Sequence, residues 1–447
     1  MTLFTLYVIA VAFFNYILIP GMNLSHPPWV FGLLLVGRAA FQSLREGHFP
    51  RPGPFGLALL LFGITTIANG VFAYISDDVR FADYGRTEFQ FLLMLGVVFA
   101  ITRARLDQYA VARLLKVWVW MAALAAAFGI YEGIARVIGL PVPELPIAAR
   151  GYVSVHVKEF FGFFAISSWF GEPSWLGSFL LIPLLYVIAV IVLDPPAPFC
   201  FRKKWWAPGL AALLLLAMFL CLSQAAYASL LVIAIPVLWS VRGRLRLGRT
   251  MRAVGIPALL IVAVAVGFSS GGADIIRAQW ERVASIATSW SAPERAWQGT
   301  SYSVRVTDMR GGLTLWESAP LTGVGINQVR HVPAARQLLT NAESGSVDSG
   351  LVQLLVEQGL VGLGALLLAL VLLWERLNQA YARARDPGLK FLLWFLKWGL
   401  ITDLVNSIFT HPWQHPQRWL VIALAASLLS GLPQDEPATG ATPAVSR

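Results

Sequence analysis

Long apolar runs, punctuated by short clusters of Arg, Lys, Asp and Pro, fill this chain from its first residues to about residue 432. A membrane-crossing helix needs roughly 20 mainly apolar residues. Runs of that kind lie near 2–20, 27–44, 55–75, 88–103, 114–138, 173–193, 206–222, 224–241, 252–269, 351–374, 390–410 and 416–432. They predict an all-α polytopic membrane protein with about twelve transmembrane helices. The two runs flanking Ser223 are parted only by SQAAYAS, which either turns tightly or lets one long tilted helix pass through.

The basic residues orient this pattern, because short cytoplasmic loops are enriched in Lys and Arg. With a cytoplasmic N-terminus, the even-numbered loops contain Arg45 and Arg51; Arg103, Arg105 and Arg113; Arg202, Lys203 and Lys204; Arg242, Arg244, Arg246, Arg249 and Arg252; and Arg376, Arg383, Arg385 and Lys390. Loss of one helix would reverse every later loop, so the alternation argues for twelve and for two cytoplasmic termini. The first 20 residues lack the basic leader and small-residue cleavage site of a secretory signal, so they are expected to remain as the first helix. The chain then divides into 1–269, nine helices with an external loop near 139–172; 270–350, a large external loop; 351–432, helices ten to twelve; and 433–447, a Pro-, Ala- and Thr-rich tail expected to be disordered in the cytoplasm.

Composition narrows the class further. Of the 447 residues, 57% are apolar and 13% charged, whereas about a quarter of a soluble domain is charged. The formal net charge of +10 is explained by basic loops, without nucleic acid as a partner. Two cysteines, Cys200 and Cys221, give no disulfide framework. No block repeats between the halves, and no paired Gly/Pro-broken helices of the kind found in many transporters are visible.

Against this background the stretch 300–364 is a polar island, dense in Arg, Asp, Glu, His and Asn. An eighty-residue external loop exceeds what a passive connection needs, and most of an active site is expected in it. Upstream, RAQWERVASIATSW at 277–290 has the spacing of an amphipathic surface helix, or its tryptophans offer faces on which a sugar stacks.

The island reads SYSVRVTDMRGGLTLWESAPLTGVGINQV at 301–329 and DSGLVQLLVEQGLVGLG at 348–364. Arg305, Pro320, Gly323 and Gly325, then Asp348 and Ser349, then Glu357, Gly359 and Gly362 occur in an order and spacing that resembles the O-antigen ligase and polymerase family of bacterial membrane glycosyltransferases. Twelve helices and a large outer loop before the tenth resemble that family as well. Ligases of the family usually carry His at the place of Asp348, and many carry an Arg after a Thr/Ser-x-Ser motif where this chain reads CLSQAAYAS. The resemblance therefore leans to the branch that polymerises O-antigen or exopolysaccharide, as does Glu172-Pro173-Ser174. It implies a multi-pass bacterial inner-membrane enzyme with a periplasmic active face. Its donor and acceptor would be glycans on undecaprenyl pyrophosphate, with no cofactor and no metal, and a flippase and a chain-length regulator as further partners. The alternatives are transfer of finished glycan to lipid A core, as in lipopolysaccharide biosynthesis, and a lipid-glycan transporter or non-catalytic pathway component.

Chemistry assigns roles to residue types. Arg binds phosphate oxygens bidentately, which makes Arg305 the first choice for holding pyrophosphate, with Arg310, Arg330 and Arg336 as further binders. A carboxylate that takes the acceptor hydroxyl proton contributes about 10²- to 10⁴-fold; Asp348 is the first choice, then Glu343 and His331. Each residue also has a structural reading. Asp348 suits a helix N-cap, Arg305 an interfacial anchor, and His331 a surface position. Gly323 and Gly325 suit a tight turn or a backbone cradle for phosphate, and Gly359 and Gly362 close helix packing. Glu172 precedes Pro173 at a helix start, as a cap or as an acceptor-binding group. Lys158, Glu159 and Arg150 share its loop. Glu132 and Arg136 form an i,i+4 pair, while Asp403 and Asn406 are costly in lipid and are expected to face the protein interior.

Overall fold

The computed structural model describes residues 1–14, 26–47, 53–76, 81–143, 159–160, 163–203, 205–221, 223, 225–231, 234, 301–339, 347–410 and 415–432. Helices make up nearly all of it: α1 Thr2–Val11, α2 Pro27–Glu46, α3 Pro54–Ser76, α4 Phe81–Arg103, α5 Gln108–Ile138, α6 Pro173–Leu193, α7 Trp206–Leu220, α8 Ser301–Trp316, α9 Gly350–Arg383, α10 Pro387–Phe409 and α11 Pro416–Gly431. A two-residue antiparallel ladder pairs Glu159 with Phe164 and Phe160 with Phe163. Among the described residues, five segments are long and apolar enough to cross a membrane: Pro54–Val71, Gln108–Ile138, Pro173–Leu193, Gly350–Arg383 and Pro387–Phe409. The expected helix at 252–269, most of 224–241, the surface helix at 277–290, Arg150, Lys158, Glu343 and the tail at 433–447 lie outside the described residues.

Several helices start earlier than the hydropathy predicts, and the reason is capping. Asp107 accepts from Ala110 N at 2.7 Å and starts α5 at Gln108; Asp386 accepts from Leu389 N at 2.6 Å with Pro387 in the first turn of α10. Short acceptor side chains satisfy the free backbone donors of a first turn, so polar residues extend helices beyond their apolar spans. α4 begins at Phe81, before the run at 88–103, and α9 runs to Arg383 instead of ending near 374.

Antiparallel packing sorts the connections to two ends. At one end, Gly350 N donates to Thr410 O at 2.8 Å, Trp169 Nε1 donates to Ala12 O at 2.7 Å, and the rings of Trp175 and Phe14 lie 5.5 and 4.9 Å from that of His415. At the other end, Arg103 pairs with Glu46, Leu106 N donates to Ser427 Oγ at 2.9 Å, and Lys116 Nζ donates to Pro198 O at 2.9 Å. Among the described residues, this second end collects Arg103, Arg105, Arg202, Lys203, Arg376, Arg383, Arg385 and Lys390; the loop with Arg242, Arg244, Arg246, Arg249 and Arg252 lies outside them. Between the ends, Trp118, Trp419, Tyr186, Phe179 and Phe395 are fully buried.

α9 is broken inside its first turns. Gly359 takes φ 62°, ψ −169°, and the turn at 320–325 inserts beside the break. Val324 N donates to Val356 O at 2.8 Å, Gly325 N to Glu357 O at 3.0 Å, Leu360 N to Pro320 O at 2.9 Å and Val361 N to Leu321 O at 3.1 Å. A Cβ on Gly359 would stand 2.2 Å from Leu321 O, and one on Gly323 would stand 2.4 Å from Glu357 C. Gly359 therefore admits a backbone rather than a neighbouring helix, which corrects the helix-packing reading for that residue. From α3, Asn69 Nδ2 bonds Thr322 O and reaches Gln358 Oε1 at 3.3 Å, fastening the insertion.

Candidate functional site

α8 lies along the head of α9. Its face toward the bundle carries Arg305, Asp308, Gly312 and Leu315 at helical spacing, with Asp308 and Leu315 buried. A Cβ on Gly312 would come within 2.8 Å of Val352, so the two helices touch closely there. From this face the Arg305 guanidinium donates through Nη1 to Phe409 O. Phe409 closes α10, and a cation at a helix C-terminus meets carbonyls that lack intrahelical donors as well as the negative end of the dipole.

The next residue along, Thr410, gathers the other elements. Its carbonyl accepts from Gly350 N, the first residue of α9. Its hydroxyl accepts from Arg418 Nη2 at 2.8 Å and donates to Asn406 O at 2.7 Å. Arg418 Nε lies 3.6 Å from Asp403 Oδ1, so a buried ion pair stands directly behind Thr410. Asn406 Oδ1 in turn accepts from Ser178 Oγ at 3.4 Å and Ser229 Oγ at 3.2 Å.

Ser349, not Asp348, caps α9: its side chain accepts from Val352 N. The N-cap reading of Asp348 is thereby corrected by one residue. Asp348 is buried immediately before the cap, two residues from the Gly350–Thr410 bond. The Arg305 side chain and the backbone of Gly350, two residues after Asp348, are thus bonded to the adjoining residues Phe409 and Thr410.

Glu172 approaches the same end from α6. It occupies the N-cap position, but its side chain makes no capping bond; Oε2 accepts from Ser174 Oγ at 3.0 Å. The turn before it is set by Glu132, which pairs with Arg136 at 2.8 Å and accepts from Ser167 N at 3.2 Å and Ser168 N at 2.8 Å. The i,i+4 pair is present, and its carboxylate also positions the approach to Glu172.

The remaining candidates fall elsewhere on the polar island. Arg310, His331 and Arg336 are exposed. Arg330 is half-buried and donates through Nε to Asn327 O at 3.3 Å. Buried Glu357 accepts from Asn327 N and Gln353 Nε2, both at 2.9 Å. Gly323 N donates to Ala319 O at 2.8 Å and Gly325 N to Glu357 O. Their amides are engaged in the turn and the inserted segment, which corrects the reading of these glycines as a phosphate cradle.

Two charged residues at the site escape the residue pattern. Asp308 is fully buried one turn from Arg305, inside a stretch whose polar and apolar residues do not fall on separate helix faces. Arg418 is hidden in the first turn of an apolar run; the one signal for it is unpaired Asp403 in the preceding helix, which needs a cation. In chemical terms, the end of α10 holds a guanidinium with donors left for an anion, and the segment bonded to the next residue carries the Asp348 carboxylate two residues before that bond. That pairing suits stabilising a phosphate leaving group while a hydroxyl is deprotonated. Among the described residues no three His, Cys, Asp or Glu side chains converge as a metal site.

A family model described as O-antigen ligase matches residues 209–367. The matched segment contains α8, the inserted turn and the broken head of α9, with Arg305, Gly323, Gly325, Asp348, Glu357 and Gly359. Glu172, Asp403 and Arg418 lie outside it. No characterised protein matches the chain.

Proposed function

We propose, from the match of residues 209–367 to the O-antigen ligase family model, that the chain is a membrane glycosyltransferase that polymerises oligosaccharide repeat units carried on undecaprenyl pyrophosphate. The reaction is an inverting displacement. The acceptor hydroxyl attacks the anomeric carbon, a glycosidic C–O bond forms, the bond to pyrophosphate breaks, and the proton passes to Asp348. Arg305 meets the charge that grows on the leaving pyrophosphate, and Glu172 binds the acceptor sugar. Arg310, Arg330 and Arg336 on the exposed part of the island line the approach of the anionic carrier.

The observation that carries this reading is the joint anchoring of Arg305 and of the start of α9, next to Asp348, on Phe409 and Thr410. Collection of the basic residues at the opposite end supports a cytoplasmic placement for that end and a periplasmic one for Phe409–Thr410, in the inner membrane. The ligase reaction is the second reading. It is favoured by the description of the matching family and uses the same guanidinium, with lipid A core as acceptor.

Deletion of the gene in its host, followed by analysis of glycan length, tests the choice. A polymerase deletion leaves single repeat units on the acceptor, and a ligase deletion leaves no transferred glycan. Trapping of the carrier on the inner face would instead identify a transporter and refute both transfer readings.

A further inference from the structure

At the end of the bundle opposite Arg305, two lysines share an aromatic ring. Lys397 lies within α10, inside a segment apolar enough to cross a membrane. Its ammonium stands 5.2 Å from the ring centroid of Tyr381, 5.3 Å from Trp374 and 5.7 Å from Trp398. The Lys390 ammonium stands over the same Tyr381 ring at 5.2 Å. Trp374 and Trp398 meet edge to face at 6.1 Å, joining α9 to α10.

Depth follows from helix geometry. Lys397 is roughly 15 Å along α10 from Pro387 at 1.5 Å per residue, whereas Tyr381 is in the last turn of α9. A lysine stem leans toward the N-terminus of its helix and carries its charge toward water. The Lys397 ammonium therefore rides near the level of Tyr381 and Lys390, at the basic end.

Aromatic faces attract a cation but do not satisfy the three donors of an ammonium. Among the described residues, neither lysine forms an ion pair, and Glu375 and Asp386, the acidic residues nearest in sequence, pair with neither. Arg376, Arg383 and Arg385 add positive charge nearby in sequence. Two like charges on one ring at the edge of an apolar span call for an anion that the described residues do not supply. Phosphate at a membrane surface is that anion, and indole and phenol rings accommodate the apolar part of its carrier.

We propose that Lys390 and Lys397, backed by Tyr381, Trp374 and Trp398, form a binding site between α9 and α10 for the phosphate headgroup of an anionic phospholipid. The site is at the end opposite Phe409–Thr410, and its existence does not depend on the transfer reaction.

The full-length chain in detergent is titrated with phosphatidylglycerol or phosphatidylcholine and the bound lipid is counted by native mass spectrometry. Phosphatidylglycerol is expected to bind at least about tenfold tighter than phosphatidylcholine, and to resist millimolar inorganic phosphate. At about 1 kcal/mol per basic residue near the surface, Lys390→Gln weakens it about fivefold and the double Lys390→Gln, Lys397→Gln variant by more than tenfold, while Lys397→Arg retains it. Equal binding of the two lipids, or unchanged affinity in Lys390→Gln, overturns the proposal. Displacement by inorganic phosphate overturns the lipid assignment in favour of a soluble anion. Lys390→Gln changes a residue near the start of α10, so the test stands even where Lys397→Gln does not fold.

Discussion

Arg418 pairs with Asp403 at 3.6 Å in the protein interior, with the guanidinium side chain 1% exposed, and its Nη2 holds the hydroxyl of Thr410. The pair lies behind the residue whose carbonyl receives the first amide of α9, so it couples helix α11 to the proposed site. Removing one partner of a buried pair strands the other charge, at a cost of about 3–5 kcal/mol. Arg418→Ala and Asp403→Ala are each expected to lower the melting temperature and the membrane level, read by fluorescence-detected gel filtration. The double variant Arg418→Met, Asp403→Leu is expected to regain stability, since an apolar pair of similar volume is often neutral. It is not expected to regain glycan extension, because Thr410 loses its donor.

Arg305 offers a second separation. Arg305→Ala is expected to abolish chain growth at normal membrane levels, measured as glycan length on gels. Arg305→Lys keeps a cation near Phe409 O but loses the planar fork, and a fall of about 10²-fold in transfer rate is expected, within the range for losing a preorganised donor. Wild-type extension in either variant removes Arg305 from the mechanism.

Asp348 and Ser349 are neighbours with separable tasks. Ser349→Ala removes the cap of α9 and is expected to cost about 1 kcal/mol of stability with chain growth retained. Asp348→Asn keeps size and polarity but not the base, and is expected to stop chain growth with no loss of thermal stability. If the outcomes exchange, the carboxylate is structural.

The break in α9 predicts which glycines tolerate a methyl group. Gly359→Ala forces a Cβ against Leu321 O and Gly323→Ala against the Glu357 carbonyl, both at positive φ. Each is expected to destabilise by about 3 kcal/mol or more, combining strain and overpacking. Gly364→Ala, with no heavy atom within 4 Å of its added Cβ, is expected to leave melting and expression unchanged.

Much of this was legible in the residues because the physics is local. Apolar length indicates where a membrane helix lies; α6 coincides with its run, and α5 and α10 begin before theirs. Glu132 and Arg136 could be paired because four residues bring side chains together on a helix. Helix starts were harder, since Asp107 and Asp386 are charges that hydropathy assigns to loops although capping makes them the first turn.

The sequence by itself determined an all-helical membrane chain with one polar island and named Arg305 and Asp348 within it, because hydropathy, charge alternation and residue chemistry are properties of short stretches. Tertiary structure alone decided that Ser349 rather than Asp348 caps α9, that Gly323 and Gly359 admit one backbone against another, and that Arg418 stands behind Thr410. Those outcomes depend on which helix ends meet, and the distance between Asp403 and Arg418, or between Phe409 and Arg305, is not encoded by any spacing along the chain.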